Sequence, residues 1–331
     1  MNTQTKIGIM GTGRIAAKVV ENTLLKMSSL QVWAVGSRTQ DKADDFAKKL
    51  GIPKAYGSYE DLVKDPDIKL IYITTPHSEH LKNIKLCAEN GKNIICEKSL
   101  CLNEKEAKEA FAVAKKNNVL LAEAIWPRYA PMARLINEFL ASNKLGTITG
   151  ITANLGYDVW EKDRVRSLEL GGGALLDVGI YCLNFIDLVQ NLDSVNKIEV
   201  SGQLDATGVD RYESVLLGYD NGCTATFYSS IINTTDRYGV IYGTKGHSVI
   251  ENVNNYASLS FYDNSRNTEP ILLIKAPEMI TGYEYQFESC CKAIEQGQTS
   301  VQYATEEQSL RLMRTMDRIR AKLGVVFSTD K

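Results

Sequence analysis

Six residues near the start of the chain, Gly11-Thr12-Gly13-Arg14-Ile15-Ala16, follow directly on the apolar run Lys6–Met10. A strand that turns on glycine into a helix is a device for holding phosphate. Gly11 permits the tight turn, Gly13 lets backbone approach a pyrophosphate, and Ala16 is small enough for helix to pack on strand. The helix opening at Ile15 then aims its N-terminal amides at the anion. Because the strand before, the helix after and the alternation beyond all agree, the motif reads as a dinucleotide site rather than an ordinary strand–helix turn. The second strand ends Val35-Gly36-Ser37-Arg38-Thr39, with no acid until Asp41. A carboxylate there would repel a 2′-phosphate, whereas Ser37 can donate to one and Arg38 can pair with it. NADP(H) is therefore the expected cofactor, with NAD(H) as the alternative. A solvated surface arginine, or one stacked on adenine, is the competing reading of Arg38.

Further along, Asp177 and Tyr181 stand four residues apart, which places them on one helix face. The run Gly171-Gly172-Gly173 before them suits a close approach of backbone to ligand. Lys98 follows the fifth strand candidate, at the carboxyl edge where doubly wound sheets bind ligands; taken alone it reads as a surface lysine at a strand end. His77 and His80 form an His-x-x-His pair, but no third ligand has suitable spacing, so no metal is expected. Trp126 and Arg128 are open to two readings: walls of a substrate pocket, with the indole as a stacking face, or a core ring and an ion-pair partner. Trp160 and Arg164, just before the glycine run, are weaker pocket candidates, and His247 reads as a surface residue in a turn.

The elements that must position these groups are legible from periodicity. Over about 120 residues, strand candidates at Lys6–Met10, Gln31–Val35, near Ala55, Leu70–Thr74, Asn93–Cys96 and Val119–Ala122 alternate with amphipathic helices such as Asn103–Lys116. That alternation specifies a parallel, doubly wound α/β sheet, a Rossmann domain over residues 1–122. After about Thr147 the texture changes. A helix over Ala174–Leu188 precedes β-type segments at Lys197–Leu204, Glu213–Tyr219, Cys223–Ser230, Arg237–Tyr242 and Ser258–Tyr262. Tyr219-Asp220-Asn221-Gly222 is a hairpin signal of type I′. Two helical patterns close the chain, Tyr283–Glu295 and Thr305–Leu323, the second opening with a Thr305-x-x-Gln308 capping box and closing at Gly324. Residues 123–331 thus form an α+β domain on a large, mostly antiparallel open sheet, and its C-terminal helices are free to pack back on the first domain. Two domains suit 331 residues; with no Pro-rich linker, they are expected to share a close interface.

Composition excludes several function classes. Acids and bases nearly balance, at a formal net charge of -2 with no basic block, so neither nucleic acid nor an anionic membrane is an expected partner. No apolar run is read as a membrane span. Seven cysteines, with no Cys-x-x-Cys pair, read as buried reduced thiols, and the expected location is cytoplasmic.

Four ordered motifs carry a resemblance over almost the whole chain. They are the dinucleotide turn, Thr75-Pro76-His77-Ser78-Glu79-His80, Cys96-Glu97-Lys98-Ser99 and Gly171-Gly172-Gly173-Ala174-Leu175-Leu176-Asp177-Val178-Gly179-Ile180-Tyr181. Together they resemble the glucose–fructose oxidoreductase and inositol dehydrogenase (Gfo/Idh/MocA) family. Glu123-Ala124-Ile125-Trp126-Pro127-Arg128-Tyr129-Ala130-Pro131 is closest to the branch with dimeric dihydrodiol dehydrogenase and NADP-dependent D-xylose dehydrogenase. The resemblance implies that Lys98 stands at the reacting carbonyl or hydroxyl and steadies developing alkoxide. It makes Tyr181 the general acid/base, a phenol that needs a neighbour such as Lys98 to act near neutrality, and has Asp177 orient substrate or hold Lys98. It places Thr75, Pro76, His77, His80 and Glu97 near the dinucleotide, and Tyr283 at a position that can touch it. Ser99 departs from the family's Glu-Lys-Pro, removing a φ restraint. The implied activity is hydride transfer between NADP(H) and a carbinol or carbonyl carbon of a sugar, polyol or trans-dihydrodiol, by a homodimer or dimer of dimers. Two other readings stay open: a glycosidase of the same family that retains its dinucleotide, and a non-catalytic NADP(H)-binding sensor. The Tyr-x-x-x-Lys of short-chain dehydrogenases is absent, since no tyrosine has a lysine four residues later.

Overall fold

Six short apolar runs form one parallel sheet in the computed structural model, which describes residues 4–265 and 267–330. In chain order the elements are β1 (Thr5–Met10), α1 (Arg14–Asn22), β2 (Leu30–Gly36), α2 (Gln40–Leu50), β3 (Lys54–Tyr56), α3 (Tyr59–Lys64), β4 (Leu70–Ile73), α4 (His80–Glu89), β5 (Asn93–Glu97), α5 (Glu104–Lys116) and β6 (Leu121–Ala124). The strand order is β3-β2-β1-β4-β5-β6, and every pairing is parallel. All four residues of β4 are buried, as a strand covered on both faces requires. The order reverses between β1 and β4, and ligands of doubly wound sheets bind outside the carboxyl ends of the strands at such a point. The Rossmann expectation is met.

The rest of the chain supplies α6 (Pro131–Ala141), β7 (Ile148–Gly156), α7 (Asp163–Arg166) and a π-helical turn, Leu175–Gly179, running into α8 (Ile180–Val189). Then follow β8 (Val195–Leu204), β9 (Asp210–Tyr219), β10 (Thr224–Ser230), β11 (Gly239–Gly243), β12 (Gly246–Glu251), β13 (Ser258–Asp263), β14 (Leu272–Lys275), α9 (Glu284–Glu295) and α10 (Glu306–Leu323). The eight-stranded sheet runs β14-β13-β12-β11-β7-β10-β9-β8. Only β7 and β10 pair in parallel. By packing, the described chain separates into two units. The first takes the residues up to Tyr129 with Met279–Leu310; the second takes Ala130–Glu278 and those from Arg311 onward.

Four details correct the sequence reading. First, β7, β12 and β14 were not foreseen, although β7 is central to the second sheet. Its Gly150, Asn154 and Gly156 are poor strand formers, so its weak alternation of Ile151, Ala153 and Leu155 toward the core was masked. Second, His247 lies on β12 and not in a turn; its ring stacks on Tyr262 at 4.9 Å. Third, the β9–β10 hairpin forms where expected but not as type I′. Gly222 has φ +84° while Asn221 does not enter the left-handed region. Gly222 N–H donates to Tyr219 O at 3.0 Å, so a turn of ordinary hand is followed by one left-handed glycine. Fourth, Leu168–Val189 is apolar and long enough by composition to cross a bilayer, but 78% of its most apolar stretch is buried in the core. All seven cysteines are free and buried.

The capping box of α10 is reciprocal: Gln308 N–H donates to Thr305 Oγ1 at 3.3 Å, and Thr305 N–H donates to Gln308 Oε1 at 3.1 Å. Thr305→Ala should therefore lower stability by about 1 kcal/mol, read by urea denaturation at constant slope. An unchanged midpoint would show that the cap does not stabilise the fold.

Candidate active site

In the first unit the phosphate-binding edge is built as its sequence demands. Gly11 sits at φ +109°, and a Cβ there would lie 2.7 Å from Thr74 Oγ1. Thr74 fixes the neighbouring strand end, its hydroxyl donating to Met10 O at 2.9 Å. Gly13 is the N-cap of α1, exposed, with no side-chain cap and no acid in the first turn. The first amides of α1 thus meet no internal acceptor from a capping side chain, and a pyrophosphate supplies what they need. Thr12 Oγ1 and Ser37 Oγ are 3.4 Å apart, joining the turn to the end of β2. Arg14 and Arg38 are exposed there and Ile15 is half-buried. The charge of Arg38 is felt by Tyr59, whose phenol burial pushes upward. These residues fit a dinucleotide.

The segment after β5 carries Lys98, half-buried, and is gripped from three elements. His77 Nε2 lies 3.1 Å from Lys98 O. His80 Nδ1 lies 3.0 Å from Ser99 O and 3.2 Å from Leu100 O, with Nε2 2.8 Å from Thr75 O. From β6, Glu123 Oε1 accepts the Leu100 N–H at 3.0 Å, and its Oε2 accepts the Ser309 hydroxyl at 2.6 Å. One peptide, Ser99–Leu100, is therefore held at its oxygen by His80 and at its nitrogen by Glu123. The Lys98–Ser99 peptide is cis. Glu97 is buried and accepts the Tyr72 hydroxyl, and Thr75 Oγ1 accepts from Asn83 at 3.0 Å, with Pro76 half-buried beside it.

The His80 ring is fully buried with both nitrogens set against backbone carbonyls of the Thr75 and Ser99–Leu100 segments. Trp126, buried, stacks on Tyr283 with centroids 4.6 Å apart; the residues read separately as pocket wall and cofactor contact touch one another. Lys18 Nζ lies 5.4 Å from the centre of the Tyr283 ring. Arg128 is buried as well.

In the second unit, Asp177 and Tyr181 lie on either side of the junction between the π-turn and α8, not on one uniform α-helix. Turns of this kind occur frequently at functional sites. Arg164 donates to both carboxylate oxygens of Asp177, at 3.1 and 3.3 Å, which brings together two residues read separately from sequence. Trp160, half-buried, lies under the Arg211 guanidinium at 5.1 Å. Tyr181 is buried, at 8% exposure.

Residues 5–124 match the model of an oxidoreductase family with an NAD-binding Rossmann fold, and residues 133–249 match the GFO/IDH/MocA C-terminal domain. The chain is 36% identical to trans-1,2-dihydrobenzene-1,2-diol dehydrogenase of Xenopus laevis over 98% of its length and 99% of the relative's. The mouse (Mus musculus) enzyme of the same name is 33% identical, covering 98% of each chain. The chain belongs to the Gfo/Idh/MocA oxidoreductase family. Two solved structures share its fold. An aldose–aldose oxidoreductase from Caulobacter crescentus aligns with TM-score 0.86 at 19% identity over 97% of both chains. A 3-ketoreductase from Actinomadura kijaniata, solved with NADP and TDP-benzene, aligns with TM-score 0.84 at 22% identity over 97% of this chain and 98% of that one. This Gfo/Idh/MocA member is an NAD(P)-dependent oxidoreductase acting on CH–OH groups, with a small-molecule substrate.

Among the buried acids of this family member that escaped the sequence reading are Glu123, Asp210 and Glu213. For Glu123 and Glu213 the signal was phase. Glu123 lies in the apolar run Leu121-Ala122-Glu123-Ala124, and Glu213 alternates in step with Val215 and Leu217.

Burial lowers the pKa of His80 below its ordinary 6.5, outweighing the carbonyls that draw it up. The folded state therefore binds fewer protons than the unfolded one as pH falls below about 6.5, and stability is lost on that side. Wild type should show a steeper acid-side fall in melting temperature than His80→Gln; identical slopes would remove His80 from the acid sensitivity.

Proposed function

We infer that the chain transfers hydride between NADP(H) and a carbinol or carbonyl carbon of a sugar, polyol or trans-dihydrodiol. The observation that supports this most is Lys98, a cation at the carboxyl edge of the Rossmann sheet whose backbone is held by His77, His80 and, through Leu100, by Glu123. Rigid backbone on both sides of a catalytic amine is what preorganised charge stabilisation needs. Lys98 steadies negative charge on the substrate oxygen, and Tyr181 exchanges a proton with that oxygen. Asp177, oriented by Arg164, aligns the substrate hydroxyl. The nicotinamide, when bound, accepts or delivers the hydride. Gly11, Thr12, Gly13, Arg14 and Ile15 hold the pyrophosphate, with Thr75, Pro76, His77 and Glu97 beside them. In the first unit Trp126, with Tyr283 packed on it, and Arg128 are the candidate substrate contacts; in the second they are Trp160 and Arg164.

The preference for NADP(H) over NAD(H) rests on the end of β2, where Ser37 and exposed Arg38 stand in place of an acid. The relatives' name supports the diol as substrate class. A homodimer or dimer of dimers through the second sheet is supported by exposed Tyr242 on β11 and Leu273 on β14. Seven buried free thiols support a cytoplasmic setting.

Absorbance of the reduced cofactor, across a panel of pentoses, hexoses, polyols and trans-dihydrodiols, tests the activity. At least one compound should turn over, and Lys98→Ala and Tyr181→Phe should each lower kcat by about a hundredfold or more. No turnover, or turnover indifferent to both substitutions, would sink the reading; glycoside cleavage without net cofactor change would assign the hydrolytic branch. For the cofactor, Arg38→Ala should weaken NADPH binding by about tenfold and leave NADH nearly unchanged. Equal losses would remove Arg38 from 2′-phosphate recognition.

A further inference from the structure

Beneath the π-turn of the second unit, β9 buries two carboxyl groups: Glu213, where its alternation calls for an apolar side chain, and Asp210, beyond a break in the strand's register with β8. Asp210 heads the strand at 2% exposure and Glu213 is completely buried. Asp210 Oδ2 accepts the Leu175 N–H at 2.6 Å. Gly173, at φ +114°, has no room for a side chain, because a Cβ there would fall 2.1 Å from Asp210 Oδ1. Glu213 Oε1 accepts the Ser229 hydroxyl from β10, its cross-strand partner. A Cβ on Gly179 would lie 3.0 Å from that same oxygen. The first and last glycines of the turn region thus rest on these two side chains.

With both groups ionised, Glu213 Oε2 is buried without a donor. A buried carboxylate lacking a donor beside a second carboxylate is costly on two counts, desolvation and like charge. The two carboxyl groups lie within electrostatic reach of one another in this buried layer, and two carboxyl groups can bond only through a proton. Burial pushes both carboxyl groups up, but Asp210 also receives backbone N–H groups that favour its ionised form, whereas Glu213 has one hydroxyl donor and faces the Asp210 charge. The proton therefore belongs on Glu213. We propose that Asp210 and Glu213 share a single proton, and that this pair is the seat fixing the Gly173–Gly179 backbone and hence the bearing of Asp177 and Tyr181. Both are positioning residues. The catalytic half of this proposal rests on the roles assigned above to Asp177 and Tyr181; the proton half does not.

Burial and the Asp210 charge push Glu213 well above the usual carboxylate range. Other titratable groups set against it are Asp210 on its own strand and, on α8, the Cys182 thiol, itself pushed well up by burial. The folded pKa of Glu213 exceeds its unfolded value near 4.5, so its favourable contribution is complete below that pH and is lost as pH rises through the folded value. Glu213→Gln keeps a donor for Asp210 and an acceptor for Ser229 but cannot ionise. Melting temperatures recorded from about pH 5 to pH 9 should show E213Q gaining on wild type as pH rises. A pH-independent offset between the two overturns the shared proton, and this experiment needs no substrate.

For the positioning half, Glu213→Leu should lower kcat by about tenfold or more while the affinity for NADPH, read by fluorescence titration, is unchanged. E213Q should restore kcat to within about twofold of wild type. Full activity in E213L, or an equal loss in E213Q, overturns the positioning role.

Discussion

A chain that leaves a buried parallel strand must find partners for every peptide group it carries past the sheet edge. After β5 that constraint falls on residues 98–102, and side chains meet it. His77 and His80 take the carbonyls of Lys98, Ser99 and Leu100, while Glu123 and Glu106 take the N–H groups of Leu100 and Leu102. Buried polar groups left unpaired cost more than paired ones return. The network is therefore specific as well as stabilising: a segment bonded at successive peptides has few alternative conformations. Lys98 inherits that definition through its backbone.

The same economy of backbone partners is seen in the second unit with different chemistry. There a carboxyl pair replaces the two histidines, and the absence of side chains at Gly173 and Gly179 brings helix backbone down onto it. In both units an ionisable group that is fully buried contacts backbone or another buried group, while Lys98 and Asp177 remain half-buried. Their environments differ accordingly. Burial lowers His80 and raises Glu123 and Glu213, so each is driven toward its neutral form.

Much of this was legible in the sequence. The Gly11–Ala16 turn declares itself because strand, glycines and helix are contiguous, so local rules suffice. The inner strands of the first sheet announce themselves because both faces are buried and their apolar runs are nearly continuous, whereas the edge strand β3, half-buried throughout, shows only as a short piece near Ala55. Lys98 was legible only by resemblance, since nothing local distinguishes a catalytic lysine from a solvated one. Glu123, Asp210 and Glu213 were lost because an acid reads as solvated unless its phase on the strand is known. β7 was lost for a related reason: its partners β10 and β11 are distant in sequence, and its own glycines and asparagine argue against a strand. The type of the Asn221-Gly222 turn was misread because the dipeptide permits, without requiring, two left-handed residues.

The placement of Trp160 has an optical consequence. Of the three tryptophans, Trp33 and Trp126 belong to the first unit and Trp160 alone to the second. Indole emission from the second unit therefore has a single source, which lies under a guanidinium and is half-exposed. A chain whose Trp160 is replaced by phenylalanine reports only the first unit, and the difference spectrum against wild type isolates the second. The molecule thus carries its own two-channel label, by which the melting of each unit can be followed without attaching a dye.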